Sequence, residues 1–146
     1  MQMKKHLIIR NAKKSDAVAL ATLAGEFGYP TTTAEMKRRF HELFSKSYHG
    51  MFVAEADSIV GWIHVSLIQS LESDSFAEIR GLVVAESHRG SGIGTQLVAK
   101  AESWAQEKGC CRIRVRTNIT RKKTRIFYKR LGFQLKKTQE VFDKAL

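Results

Sequence analysis

The chain has 146 residues and 16.5 kDa, with 43% apolar and 27% charged residues, the size and balance of one globular domain able to bury a core. A single domain over 1–146 is therefore expected. No apolar run approaches the roughly 20 residues of a membrane span, and Leu7, Ile8 and Ile9 are too few for a signal-peptide core, which argues against a membrane or secreted setting.

In chain order, "HLIIRNA" reads as a first strand. Ser15 is placed to cap a helix over Asp16–Phe27, with Ala17, Leu20, Ala21 and Ala24 at inward spacing, ended by Gly28-Tyr29-Pro30. Thr33 is placed to cap a second helix to about Lys46, burying Met36, Phe40, Leu43 and Phe44. "MFVAEA" and "IVGWIHVSLI" flank Asp57-Ser58 as a hairpin, and "FAEIRGLVV" is a further strand. A third helix presents Ile93, Leu97, Val98, Ala101, Trp104 and Ala105 on one face and stops at Gly109. "CRIRVRT" alternates, turning Cys111, Ile113 and Val115 one way and three arginines the other. A fourth helix over Arg121–Leu131 stops at Gly132, and "FQLKK" with "EVFDK" forms a closing hairpin. The order β-α-α-β-β-β-α-β-α-β-β implies an α/β mixed sheet with helices on both faces rather than a repeating doubly wound fold.

The formal charge of +11 is uneven. Residues 1–75 hold 9 Lys/Arg against 8 Asp/Glu, and residues 76–146 hold 16 against 6. A basic half suits an anionic partner, although a solvated basic surface accounts for it equally well. Cys110 and Cys111 are adjacent and poor candidates to pair with each other, which fits a reduced, cytoplasmic setting. The five histidines show no metal-binding spacing, so no metal is expected.

The densest signal is "HRGSGIGTQLV". Gly90, Gly92 and Gly94 alternate between a strand and a helix, with Arg89 in front. First-turn N–H groups have no intrahelical partner, and the helix dipole adds roughly half a positive charge there. Glycines let an anion approach that backbone. The loop lacks the Lys-Ser/Thr of a P-loop and the spacing of a dinucleotide fingerprint.

This loop resembles the acyl-CoA pyrophosphate loop of the GNAT N-acetyltransferases, with the pattern's Arg and two Gly falling on Arg89, Gly92 and Gly94. "TNITRKKTRIFYKRLGF" is similar to a second family segment, matched by Asn118, Phe127, Tyr128, Gly132 and Phe133; Thr124 stands where the family often has alanine. The resemblance covers nearly the whole chain and implies a GNAT-like fold with acetyl-CoA as co-substrate and an amine as acceptor. It implies that the backbone of Gly90, Ser91, Gly92, Ile93, Gly94 and Thr95 holds the pyrophosphate. Leu82, Val83 and Val84 would then run along the pantetheine arm, and Asn118 would touch it.

Attack of an amine on a thioester calls for a proton acceptor, because an amine with a pKa of about 10.4 is almost wholly protonated at pH 7. Glu78, eleven residues before Arg89, matches the position of the base in histone-type members. A strand carboxylate paired with Arg80 or another arginine is the alternative, and His64 is a lesser candidate base. Tyr128 matches the family's general acid and could otherwise be core; Asn118 could otherwise be a turn residue or cap. The turn "GEFGYPTTT", with Glu26, Phe27 and Tyr29, is put beside the acceptor cleft by the same analogy, although Phe27 could be core and Glu26 a helix end. Arg112, Arg114 and Arg116 lack interleaved aromatics, which argues against a nucleic-acid platform. A non-catalytic acyl-CoA sensor or nucleic-acid binder on the same fold is the competing class. A homodimer and the identity of the acceptor stay open.

Overall fold

The computed structural model describes residues 6–146; residues 1–5, which precede the short apolar run weighed above as a signal-peptide core, lie outside them. Branched and aromatic residues build a mixed five-stranded sheet in the order β1-β2-β3-β4-β5. The strands are β1 (Ile8–Asn11), β2 (His49–Glu55), β3 (Ile59–Ile68), β4 (Phe76–Val84) and β5 (Ile113–Val115). The first four run antiparallel to their neighbours, and β5 joins β4 in parallel. The chain divides into two compact units after Arg116.

In the first unit, α1 (Ala17–Glu26), α2 (Thr33–Phe44) and α3 (Ile93–Glu107) cover the sheet. Consecutive strand residues point to opposite faces, so Gly61 and Trp62 sort the helices. A Cβ on Gly61 would meet Leu97 and Ile93 of α3, whereas the Trp62 indole donates to the Leu20 carbonyl of α1. The face of α3 read from its periodicity is the buried one: Ile93, Leu97, Val98, Ala101, Trp104 and Ala105. On the other face Leu20, Phe40 and Val53 form a buried cluster. Arg10 of β1 ties the start of α1 to the sheet, with ion pairs to Asp16 at 2.8 Å and Glu55 at 2.9 Å.

Several local readings change. Ser15 caps nothing: Lys14–Asp16 form a 3-10 turn whose Asp16 carboxylate accepts from the Lys13 N–H at 2.7 Å. The cap of α2 is Thr32, not Thr33; its hydroxyl accepts from the Glu35 N–H. Phe44 is exposed because it sits in the last turn, stacked on Phe40 rather than under it. Cys111 precedes β5 and is exposed, while Cys110 is buried. No helix among the described residues is long and apolar enough to cross a membrane.

The second unit carries α4 (Lys122–Arg130), closed by Gly132 at φ +92°. The hairpin expected over "FQLKK" and "EVFDK" is not formed, and 133–146 have no helix or strand. Leu135, Val141 and Phe142 are exposed, so neither segment buries an apolar face. The intervening residues also offer no Asn-Gly or Asp-Gly turn, and a lone two-stranded hairpin is marginal in water.

Candidate active site

Beyond Val84 the chain makes a 3-10 turn, Glu86–His88, and then the glycine loop. Gly90 and Gly92 are both left-handed, at φ +80° and +87°, and Gly92 is the N-cap of α3. No side chain caps this helix and no acid stands in its first turn. Its first N–H groups, on Ile93, Gly94 and Thr95, are the ones for which helix geometry provides no partner. Gly94 lies inside the helix without a positive φ, so its use there is the absence of a side chain on the anion-facing turn. Arg89 folds back: its Nε donates to the Val84 carbonyl at 3.2 Å, and its guanidinium lies 6.0 Å from the Phe27 ring centroid. Ser91 donates its hydroxyl to the His88 carbonyl, bracing the loop.

The strand leading into this loop is open on one side. β5 pairs with Ala77, Glu78 and Ile79, so among the described residues β3 is the one strand neighbour of 80–84. Register on the β3 side steps from Val65↔Ile79 to His64↔Gly81, which leaves Arg80 as a bulge. Bulges re-aim side chains and end pairing, here where β4 and β5 part. Gly81 is small for a packing reason: a Cβ there would lie 2.9 Å from the Trp62 ring. Leu82, Val83 and Val84 thus present backbone that an extended ligand arm could follow as an added strand would.

Glu78 is the middle residue of the stretch paired with β5 and is buried, with 4% of its surface exposed. Arg80 Nη1 donates to its Oε2 at 2.5 Å, and Arg116 Nε donates to its Oε1 at 2.9 Å. A carboxylate has about four lone-pair sites, so acceptor capacity beyond these two bonds remains. The paired-carboxylate arrangement foreseen with Arg80 is therefore present, and Arg116, 38 residues away, is the partner that sequence reasoning did not name. His64 was weighed as a base, and its imidazole is 2.8 Å from that of His49. Burial, followed by the His49 and Arg80 charges, pushes its pKa down to about 4, so it is a neutral hydrogen-bonding group at pH 7. The pairing of His49 with His64 had no sequence signal.

At the end of α1, Glu26 and Tyr29 are exposed and Phe27 is half-buried. Phe27 and Tyr29 have ring centroids 5.8 Å apart across Gly28, which is left-handed at φ +100°. Through Phe27 and Arg89 this turn meets the mouth of the glycine loop. In the second unit, the Asn118 carboxamide oxygen accepts from the Thr120 N–H at 3.0 Å and from its hydroxyl at 2.8 Å, a turn leading into α4. Any ligand contact by Asn118 would use its carboxamide nitrogen or backbone. Tyr128 is buried beside the Phe127 and Phe133 rings, at 5.0 and 5.3 Å, and burial pushes its phenol up to about 12. No group of three His, Cys, Asp or Glu side chains suited to a metal ion occurs among the described residues.

A strand, a capless glycine-led helix and an open strand edge are thus joined in one unit. The family model described as the acetyltransferase (GNAT) family matches residues 17–133. The chain belongs to the GNAT family of N-acetyltransferases. An uncharacterised N-acetyltransferase of Methanocaldococcus jannaschii is 34% identical over 100 residues, 66% of this chain but 44% of that relative. The chain therefore spans less than half of that relative's length. The aminoglycoside N(6')-acetyltransferase type 1 of Serratia marcescens is 28% identical, over 80% of this GNAT chain and 82% of its own. The aminoalkylphosphonate N-acetyltransferase of Salmonella typhimurium is 33% identical over 71% and 67%, respectively. Among solved structures, an aminoglycoside N-acetyltransferase in complex with CoA superposes with a TM-score of 0.88 over 100% of this chain and 99% of its own. At 20% identity that likeness is one of fold, a mixed sheet with four helices.

Proposed function

We propose that this GNAT chain, acting over 1–146 as one catalytic domain, transfers an acetyl group from acetyl-CoA to a primary amine by direct attack on the thioester. The observation that carries this reading is the left-handed Gly92 opening α3 without a cap, at the end of a strand whose last five residues are open on one side. Relatives whose printed substrates are an aminoglycoside and an aminoalkylphosphonate, both amines, support the acceptor class.

When bound, acetyl-CoA supplies an acyl group activated as a thioester. The first-turn N–H groups of α3 and the loop backbone from Gly90 to Thr95 hold the pyrophosphate, with Arg89 at the mouth. Leu82 to Val84 align the pantetheine arm along the open edge of β4. The acceptor's nitrogen forms a C–N bond as the C–S bond breaks, and the electron pair leaves on sulfur. Glu78 takes the proton lost by nitrogen, directly or through a water on its remaining lone pairs. Tyr128 is assigned to the departing sulfur. A phenol at about 12 is a far weaker acid than a thiol near 8.5, so full proton transfer would be uphill by about 5 kcal/mol; its contribution is a hydrogen bond. Glu26, Phe27 and Tyr29 border the amine's approach.

Release of free thiol from acetyl-CoA, measured across a panel of amines with mass-spectrometric detection of the acetylated product, tests the reading. Amine-dependent release is the expected result. The two ion pairs on Glu78 also suit a structural carboxylate, and so favour a second reading, a CoA-binding chain without turnover. Retained CoA binding with no thiol release for any amine selects it.

A further inference from the structure

The side of the sheet that carries Glu78 is strongly cationic. Phe76 and Glu78 stand two residues apart on β4 and share a face. The Arg112 and Arg114 guanidiniums lie 4.3 and 4.5 Å from the Phe76 ring centroid, and Arg80 and Arg116 hold Glu78. Two guanidiniums therefore hold the carboxylate, and two more lie over the ring that shares its face. Arg80 and Arg116 side chains keep 47% and 58% of their surface exposed, so their charge reaches the solvent beside the point where β4 and β5 part. His64 adds none at pH 7, and burial lowers His49 as well, with the Arg80 charge acting in the same direction on both.

This charge is not placed for CoA phosphates on the glycine loop. Arg80 precedes Val84 by four residues, roughly 13 Å of extended strand, and the loop begins beyond that. An acceptor amine entering beside Glu78 meets an excess of positive charge instead. A polycation is repelled there, while an anion on the acceptor is attracted and draws its amine toward Glu78. We infer that the acceptor is a small amine that also bears an anionic group, a phosphate or a carboxylate, bound by Arg80 and its neighbouring guanidiniums. This rests on the acetyltransferase reading for the location of the site.

The test compares matched acceptors in the presence of CoA: phosphoethanolamine against ethanolamine, β-alanine against propylamine, and kanamycin as a polycation. Dissociation constants come from calorimetry and kcat/KM from thiol release with acetyl-CoA. At least one acceptor bearing the anionic group should bind tenfold or more tighter than its match lacking it, which is a simple ammonium cation at pH 7, with kanamycin weaker than both, and the better pair identifies phosphate or carboxylate. In R80Q, and independently in R114Q, the preference for the acceptor bearing the anionic group over its match lacking it should fall at least fivefold, a ratio that general loss of activity does not move. Arg114 makes no ion pair with Glu78, so the second variant serves where the first fails to fold. Equal binding within both pairs, tighter binding of kanamycin, a ratio unchanged in both variants, or an equal loss of CoA affinity would overturn the inference. Preferential binding of an anionic amine without any thiol release upholds it while refuting turnover.

Discussion

Gly92 offers a substitution in which folding and ligand binding should move apart. Its φ of +87° is left-handed, and a Cβ built there meets nothing within 4 Å. Gly92→Ala therefore causes no clash and costs only the left-handed penalty of about 1–2 kcal/mol. Asp tolerates this region better than Ala, so Gly92→Asp should fold at least as well while placing a negative charge at the mouth of α3. At about 5 Å from a phosphate, one charge pair repels by roughly 1–3 kcal/mol between bulk-water and surface-like dielectrics. In the wild type, CoA at a hundred times its Kd should add about 2.7 kcal/mol, a rise in Tm of roughly 5–11 °C for a chain of this length. A hundredfold loss of affinity would leave about 0.4 kcal/mol at the same CoA concentration, or a shift of one or two degrees. Thermal melts of both variants with and without CoA measure the two effects together. A folded Gly92→Asp with wild-type CoA affinity would refute the cradle, and equal loss in Gly92→Ala would mean that loop shape, not charge, is what matters.

Glu78→Gln should keep CoA binding but lower kcat/KM by roughly 10²–10⁴, with partial recovery at high pH where the amine is already neutral; wild-type rates at pH 7 would make Glu78 structural. Tyr128→Phe should lower turnover by less than Glu78→Gln does and change stability by no more than about 1.5 kcal/mol, as read from urea melts and thiol release; a badly destabilised but fully active variant would make it a core residue. His64 has a folded pKa of about 4, below its unfolded value near 6.5. The unfolded chain then binds the extra proton first, so stability is intact above pH 6.5 and is lost as pH falls toward 4. Between pH 7 and 5 that loss should be about 2 kcal/mol, and His64→Gln should remove it in urea melts at the two pH values; an equal loss in the variant would place the titration elsewhere.

What the amino-acid order determined by itself was local and periodic. The buried stripe of α3, the hairpin around Asp57-Ser58 and the stops at Gly109 and Gly132 follow from side-chain spacing and from glycine's access to positive φ, and all stand in the structure. The glycine loop was legible for the same reason: its chemistry is backbone geometry at adjacent residues. Caps shifted by a residue or more because neighbouring hydroxyls and carboxylates compete for the same N–H groups, as Thr32 and Asp16 show. The tail's alternating residues looked like strands, but a strand exists only where something pairs with it and covers one face, and Val141 and Phe142 have no such cover. Only the tertiary structure could bring Arg116 to Glu78 and His49 to His64, or leave Arg80 as a bulge. Each depends on the register between strands distant in the chain, and register is decided by packing of the whole sheet rather than by any segment's own pattern.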